Sequence, residues 1–327
     1  MRACPEHGPP SEVDHRFCEV CGRNLDTGEP PRVEVPTVWV SSRASGTACG
    51  GCGEAFASAE AYCDHCGRRR SVGRDHAELD LGTVAAVTDR GRRRRRNEDA
   101  VVVGRAAGLN LAVVCDGVST STRSDAASHD ASEAGLTSLL ADLGRGADPA
   151  KATVEAARAA AAAARAVAEA SDGDTPPSCT YVSGVATPEG VTVGWIGDSR
   201  AYWLGPDAAE LTVDDSMAAL IAAGRPVPAA LDPDPESRAL IRWLGADSGD
   251  PEAQVVSLRP SGPGHLLLCS DGLHHYLSDP AALADAVAGR SLIDVARHLT
   301  TVALDGGGHD NIAIALLAFP PPGGPLS

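Results

Sequence analysis

Carboxylates gather at the ends of apolar runs along this chain. LAVVCDG sets Asp116-Gly117 after one run, HLLLCSDG sets Asp271-Gly272 after another, and GGGHDN sets Asp310-Asn311 just ahead of a third. RRRRRNED places Glu98 and Asp99 at the start of a further run, and VGWIGDSR places Asp198 within a β segment. A single Asp-Gly makes a turn and nothing more. Several carboxylates brought together repel one another unless cations sit among them, and the chain's one lysine, Lys151, is not near these motifs. Oxygen-only donors suit Mg²⁺ or Mn²⁺ better than zinc. These residues therefore point to a hard-cation site without naming a reaction.

A second set of residues carries different chemistry. Seven of the ten cysteines lie in the first 66 residues, and the segment repeats itself. Adding 45 to Cys4, His7, Cys18 and Cys21 gives Cys49, Cys52, Cys63 and Cys66, while Phe17 and Tyr62, and Gly22-Arg23 and Gly67-Arg68, repeat in the same register. This is an internal duplication. Two close pairs of soft donors surround one Zn²⁺ tetrahedrally, and the Gly after the second donor in CEVCG, CGGCG and CDHCG suits the tight turn. The register puts His7 where the second copy has Cys52, so the expectation is one Cys3His and one Cys4 site. Redox CxxC pairs would accompany a βαβ pattern, which is absent here. Ribbons this short hold too little core to fold without metal, so both zinc ions are read as structural.

The elements that must position these residues follow from periodicity. Residues 1–76 form the duplicated zinc ribbon (1–24 and 46–70), joined by a linker with one short strand at Thr37–Val40. Residues 77–321 read as one α+β domain, followed by a tail over 322–327. Strand-like runs fall at 81–88, 100–103, 111–115, 179–186, 191–196, 200–204, 254–258, 265–269 and 311–318. Two long helices are expected at 125–143 and 149–170, the second opened by Asp148 and Pro149. Shorter helices are expected near 215–223, 236–244, 280–288 and 291–304. A proline-rich flap spans about 214–245, and Cys115, Cys179 and Cys269 read as small buried hydrophobes.

Charge limits the partners. With 28 Lys+Arg against 44 Asp+Glu, the net charge is −16. The first 76 residues carry 9 basic and 11 acidic groups, the remainder 19 and 33, so the acidity belongs to the large domain. That sign argues against a generic binder of nucleic acid or of anionic membranes. No run of about 18 apolar residues offers a membrane span, and the N-terminus lacks the apolar core of a secretory signal, so the expected compartment is the cytoplasm.

The motifs RRRNED, VVCDG, GDSRAYWL, LTVDDS, LLLCSDGL and GGGHDN, in that order, resemble the PPM family of metal-dependent (type 2C) serine/threonine protein phosphatases, in its bacterial branch. The resemblance runs from Leu79 to Phe319. It implies two antiparallel β-sheets in a sandwich, flanked by helices on both faces, with a two-metal Mn²⁺ or Mg²⁺ centre at one end. Carried over by motif, Asp116 bridges both metals, the Gly117 carbonyl joins it on the second, and Asp271 and Asp310 hold the first. Glu98 and Asp99 complete the ligands of the second metal, mostly through water, and Asp198 falls where the family places a third, weaker metal. Arg94 matches the phosphate-binding arginine, and Asn311 is expected to orient Asp310.

The implied reaction is hydrolysis of phosphoserine and phosphothreonine in proteins by a hydroxide bridging the two metals, with no phospho-enzyme. The implied opponent is a Ser/Thr kinase. The text after Asp116-Gly117 departs from the family pattern, reading VSTST, and the general-acid His of the eukaryotic enzymes has no counterpart. Ser216 and Met217 fall in the flap beside the substrate groove. The rival reading is a catalytically weak adaptor of phosphatase fold that acts through its zinc ribbons.

Overall fold

A computed structural model of the chain describes residues 25–26, 37–43, 65, 72–73, 75–169, 175–224, 239–249 and 252–320. The zinc-ligand positions expected from the sequence (Cys4, His7, Cys18, Cys21, Cys49, Cys52, Cys63 and Cys66), the flap residues 225–238 and the tail 322–327 lie outside the described residues. The chain divides into two units, Met1–Pro36 and Thr37–Ser327. The second carries every element named below.

The strands are β1 (Val38–Ser41), β2 (Val72–Gly73), β3 (His76–Asp80), β4 (Val84–Asp89), β5 (Ala100–Ala106), β6 (Leu109–Cys115), β7 (Ser178–Cys179), β8 (Tyr181–Thr187), β9 (Gly190–Ile196), β10 (Arg200–Leu204), β11 (Ala209–Glu210), β12 (Leu244–Gly245), β13 (Gln254–Leu258), β14 (Gly264–Cys269) and β15 (Ile312–Phe319). The helices are α1 (Ser124–Gly144), α2 (Pro149–Ala166), α3 (Met217–Ala222), α4 (Asp271–His274), α5 (Pro280–Val287) and α6 (Leu292–Asp305). One antiparallel sheet runs β1-β5-β6-β8-β9-β13, a second runs β11-β10-β14-β15-β4-β3-β2, and β7 and β12 form a short pair.

Strand alternation shows why the central strands are apolar throughout. In β6, Ala112 and Val114 join the core between the sheets, while Leu111, Val113 and Cys115 pack with α1 and α2. In β15, Ala313, Ala315 and Leu317 point into the same central core, while Ile312, Ile314 and Leu316 pack with α5 and α6. Both faces of each sheet are covered, so both side-chain sets are buried and no polar face is left to alternate. The architecture is the expected sandwich of two antiparallel sheets flanked by helices. Truncating a fully buried side chain such as Leu268 to Ala costs about 2–5 kcal/mol in such a core.

The helices follow local rules as well. The Asp148 carboxylate caps α2 by accepting the Lys151 N–H at 3.1 Å, and Pro149 takes the first turn. Ala152, Ala156, Ala160 and Ala164 line its buried face at a spacing of four. Cys115, Cys179 and Cys269 are fully buried, as expected for small hydrophobes. Among the described residues no helix is long and apolar enough to cross a membrane.

Three local expectations are corrected. The run at 81–88 is a hairpin junction: β3 and β4 pair, and Gly82, at φ 82°, turns between them with its N–H on the Asp80 carboxylate at 2.8 Å. The second long helix stops at Ala166 rather than 170. No helix forms over the described part of 236–244, where Leu240 instead bridges Ser216, and Leu244 pairs with Cys179. The Met217 N–H donates to the Ala239 carbonyl at 2.9 Å and the Ile241 N–H to the Asp215 carbonyl at 2.9 Å. These bonds to a distant part of the same chain use backbone groups that a helix would need for itself.

Candidate active site

Antiparallel register gathers the acidic motifs. Ala100 pairs with Cys115, so Asp99, just before β5, lies beside Asp116, just after β6. Cys269 pairs with Ile314 and with Arg200, which brings Asp271, Asp310 and Asp198 to one end of the second sheet. Both ends coincide: Asp116 feels the charge of Asp99, Asp271, Asp198 and Asp310 together. A sequence span of more than 200 residues closes in this way into one group of five aspartates.

Their electrostatics follow from crowding. Burial, and then the charges of Asp99, Asp271, Asp198 and Asp310, push the Asp116 carboxyl well above the usual range. Burial also drives Asp99 well up, opposed by the hydroxyl of Ser270, which donates to Asp99 Oδ2 at 2.7 Å. Asp271 is raised by burial and by Asp310, and Asp198 is pushed up to about 7 by burial and by Asp271. The Asp116 carboxyl stands at hydrogen-bonding range of those of Asp99 and Asp271. Oδ1 of Asp99 and Oδ1 of Asp271 are buried without a hydrogen-bond donor.

An array of mutually repelling carboxylates with two buried oxygens lacking donors fits divalent hard cations, which satisfy both deficits at once. Among the described residues, no group of three or more His, Cys, Asp and Glu side chains already stands closed around a cation position. The fit therefore rests on charge and on the unsatisfied oxygens, not on a finished shell.

Glu98 is held differently from the aspartates. Its Oε1 accepts from the Ser124 hydroxyl at 2.8 Å and from Arg96 Nε at 2.9 Å, so that oxygen is occupied by protein donors. Gly117 pairs with Cys179, and a side chain there would put its Cβ 2.7 Å from the Glu98 carbonyl oxygen. Gly272 is tighter still, since a Cβ would lie 1.9 Å from the Asn311 carbonyl oxygen. These two glycines let the acidic loops approach one another.

Arg94 meets Asp310 directly, Nη2 donating to Oδ2 at 2.5 Å, which raises the already high guanidinium pKa. Asn311 meets Asp310, as expected, through its backbone. Its backbone N–H, not its side chain, donates to Asp310 Oδ1 at 2.8 Å. The side-chain amide instead donates to the carbonyls of Arg90 at 2.8 Å and Arg96 at 2.9 Å, and accepts the Glu98 N–H at 2.8 Å. Asn311 thereby clamps both ends of the arginine loop.

Several supporting residues gave no motif-level signal. Ser270 Oγ also accepts the Ala313 N–H at 2.9 Å, tying β15 to the Asp99 contact. Thr180 Oγ1 accepts the Asp116 N–H at 3.0 Å and shares a 2.7 Å hydrogen bond with Ser199. The two acids of LTVDDS are framework groups: Asp214 takes both forks of Arg200 at 2.9 and 2.8 Å, and Asp215 accepts the Gly197 N–H at 3.1 Å and is approached by Arg242. A recess of about 430 Å³ beside the aspartates is lined by Asp198, Arg200, Asp214, Ser216, Asp271 and His275, among others. Of the two flap residues singled out from the sequence, Ser216 lines it, while Met217 is buried in the core.

The comparisons with known proteins agree with this fold. The model of the family described as protein phosphatase 2C matches residues 88–302, more than half of the chain. The chain belongs to that family and is a metal-dependent protein serine/threonine phosphatase, a phosphomonoester hydrolase. Its structure is similar to the PPM Ser-Thr phosphatase MsPP from Mycobacterium smegmatis in complex with cacodylate, at 28% identity and TM-score 0.53, covering 73% of this chain and 98% of that one. It is similar to the serine/threonine phosphatase PstP/Ppp of Mycobacterium tuberculosis at 27% identity and TM-score 0.51, covering 71% and 96%. It also resembles the catalytic domain of PstP in complex with two manganese ions, at 26% identity and TM-score 0.52, covering 72% and 97%. No curated protein matches the chain.

Proposed function

We propose that this phosphatase hydrolyses phosphoserine and phosphothreonine in proteins at a two-cation centre of Mn²⁺ or Mg²⁺. The observation that carries this reading is the convergence of Asp99, Asp116, Asp198, Asp271 and Asp310, with Oδ1 of Asp99 and of Asp271 buried and lacking donors. Asp116, the Gly117 carbonyl, Asp271 and Asp310 would hold the two cations, Glu98 and Asp99 would complete the surroundings, and Asp198 would serve a third, weaker site. The complex of PstP with two manganese ions supports this count. Such cations, when bound, supply the charge that ionises an attacking water at neutral pH and neutralises phosphoryl oxygens.

The chain's own groups do the rest. Asp310 fixes one nitrogen of Arg94 and leaves the remaining donors of its planar fork for phosphate oxygens. Asn311 holds the loop that carries Arg94, so the fork is placed before substrate arrives. Water adds to phosphorus and the P–O bond to the serine or threonine oxygen breaks, giving the free hydroxyl and inorganic phosphate. A Ser/Thr kinase that installs these phosphates is the corresponding opponent.

The N-terminal repeat, with Cys4, His7, Cys18 and Cys21 in one copy and Cys49, Cys52, Cys63 and Cys66 in the other, is read as two structural zinc ribbons for docking or regulation. Its support is the donor set and the 45-residue register.

The test measures hydrolysis of p-nitrophenyl phosphate and of a phosphothreonine peptide, with Mn²⁺ supplied or chelated, for the wild type and Asp116→Asn. Metal-dependent turnover abolished by that change is the expected result. No turnover in folded protein would overturn the catalytic reading and favour an adaptor acting through the ribbons. Two zinc ions per chain by atomic spectroscopy is the expected content, and none would remove the ribbons.

A further inference from the structure

The five consecutive arginines, Arg92–Arg96, divide by alternation. Arg92 pairs with Asp305 at 3.2 Å, Arg94 with Asp310, and Arg96 with Glu98 at 2.9 Å and Asp125 at 3.7 Å. The two between them, Arg93 and Arg95, are exposed, and neither has an ion pair or hydrogen bond among the described residues. Together with Arg94, Arg96 and Glu98 they line a recess of about 530 Å³. The loop is not a loose basic tail. Asn311 ties the carbonyls at Arg90 and Arg96, and the Arg92 N–H donates to the Gly308 carbonyl at 2.8 Å. Two uncommitted guanidinium groups are thus held on a fixed loop on either side of the arginine that the proposed function assigns to phosphate.

We infer that Arg93 and Arg95 form a specificity subsite for a second anionic group on the substrate peptide, close in sequence to the phosphoresidue being hydrolysed. The inference rests on the proposed phosphatase site and deepens it. Neighbouring Cα atoms lie about 3.8 Å apart and an extended peptide advances about 3.3 Å per residue, so the second group falls within roughly three residues of the first. Charge supports the assignment. The domain around this loop carries 19 basic against 33 acidic groups, so its net charge repels an acidic substrate segment, and two adjacent unpaired cations beside Arg94 offset that repulsion locally. The planar fork accepts a carboxylate and a phosphate equally well. A long polyanion such as duplex DNA would feel the net negative charge of the whole domain more than a short peptide does, which favours a peptide.

The experiment uses the full chain with Mn²⁺ and phosphothreonine peptides of equal length. One has neutral flanks, one has Asp and Glu flanks, and one has a non-hydrolysable phosphonate residue two positions away. KM and kcat are measured for the wild type, for Arg93→Gln/Arg95→Gln, and for Arg92→Gln as a control in the same loop, each normalised to p-nitrophenyl phosphate turnover. Fluorescence anisotropy of labelled peptides on each chain reads the same preference without turnover.

The wild type should favour both anionic peptides by about three- to tenfold in KM and in binding, the range for two exposed charge pairs, and lose the preference at high salt. The double variant should lose it and Arg92→Gln should keep it. A larger gain for the phosphonate peptide would assign the subsite to a second phosphoryl group, and an equal gain to either anion. Equal binding of all three peptides, or a preference that survives in the double variant, overturns the inference. So does tight binding of duplex DNA that depends on Arg93 and Arg95 without any peptide preference. Failure of all turnover would count against the hydrolytic reading alone, because the anisotropy comparison still decides this one.

Discussion

Glu98 donates its backbone N–H to the side-chain oxygen of Asn311 at 2.8 Å, across 213 residues of sequence. The same amide spends its two N–H bonds on the carbonyls of Arg90 and Arg96. One buried side chain therefore joins the start of β15, the arginine loop and the entry to β5. Placement of the phosphate-binding candidate Arg94 depends on a residue that need never touch substrate.

Asn311→Ala should weaken both the fold and the site. It removes an acceptor and two donors and strands three backbone groups, at about 1–3 kcal/mol for each group left buried and unpaired. Urea unfolding should show a loss of several kcal/mol at most, since water will reach part of the loop. In the surviving folded protein KM for phosphopeptide should rise more than kcat falls. Asn311→Asp should be no better, because a carboxylate cannot donate to the Arg90 and Arg96 carbonyls. An unchanged KM in either variant would refute the positioning role.

The aspartate cluster should trade stability against activity. Removing one repelling charge relieves the others, so in chelator Asp116→Asn should melt at a higher temperature than the wild type. Adding Mn²⁺ should reverse the order by stabilising the wild type, by about 2.7 kcal/mol at a hundredfold excess over Kd, with little effect on the variant. Calorimetry with and without metal measures both arms. A variant that melts lower in chelator would show that the cluster is not under repulsive load.

Ser270→Ala should lower metal affinity without touching a proposed ligand position. The Ser270 hydroxyl supports Asp99 and also receives the Ala313 N–H, so its loss frees Asp99 Oδ2 and orphans a backbone donor. Outer contacts of this kind typically contribute ten- to a hundredfold in metal affinity. The Mn²⁺ concentration for half-maximal activity should rise by about that factor, with activity recovered at saturating metal.

Acid stability should report on Glu78, far from the aspartates. Burial opposes its ionisation, but hydrogen bonds from His76 and Arg297 prevail and lower its pKa from 4.5 to about 2. Arg297 Nη2 stands 2.7 Å from Glu78 Oε2, and His76 Nε2 lies 3.1 Å from Oε1. A folded-state pKa below the unfolded value stabilises at pH above 4.5, and the contribution disappears as pH falls toward 2. The stability gap between the wild type and Glu78→Gln, from urea midpoints, should therefore be full at pH 5.5 and shrink steadily between 4.5 and 2. A gap that does not change over that range would exclude this assignment.

The amino-acid sequence by itself determined the apolar strand runs, the two long helices and the acidic motifs, because each is local. Strand ends announce themselves as Asp-Gly after a run of Leu and Val or as Asp-Asn just before an apolar run, and Asp148-Pro149 opens α2. The class of fold was legible for the same reason, as nearly unbroken apolar strands require cover on both faces. Tertiary structure alone decided which acids meet. Pairing of Ala100 with Cys115 and of Cys269 with Ile314 brings Asp99, Asp116, Asp271 and Asp310 together, while Glu98 Oε1 is captured by Ser124 and Arg96. It also decided which arginines of a uniform run are spent on Asp305, Asp310 and Glu98 and which two have no partner among the described residues. Ser270, Thr180 and Asn311 act through hydrogen bonds to partners distant in sequence, and a lone polar residue has no period to read. The segment at 239–245 departs from its helical pattern because backbone groups of Asp215 and Met217 offered it long-range hydrogen bonds, which no local propensity encodes.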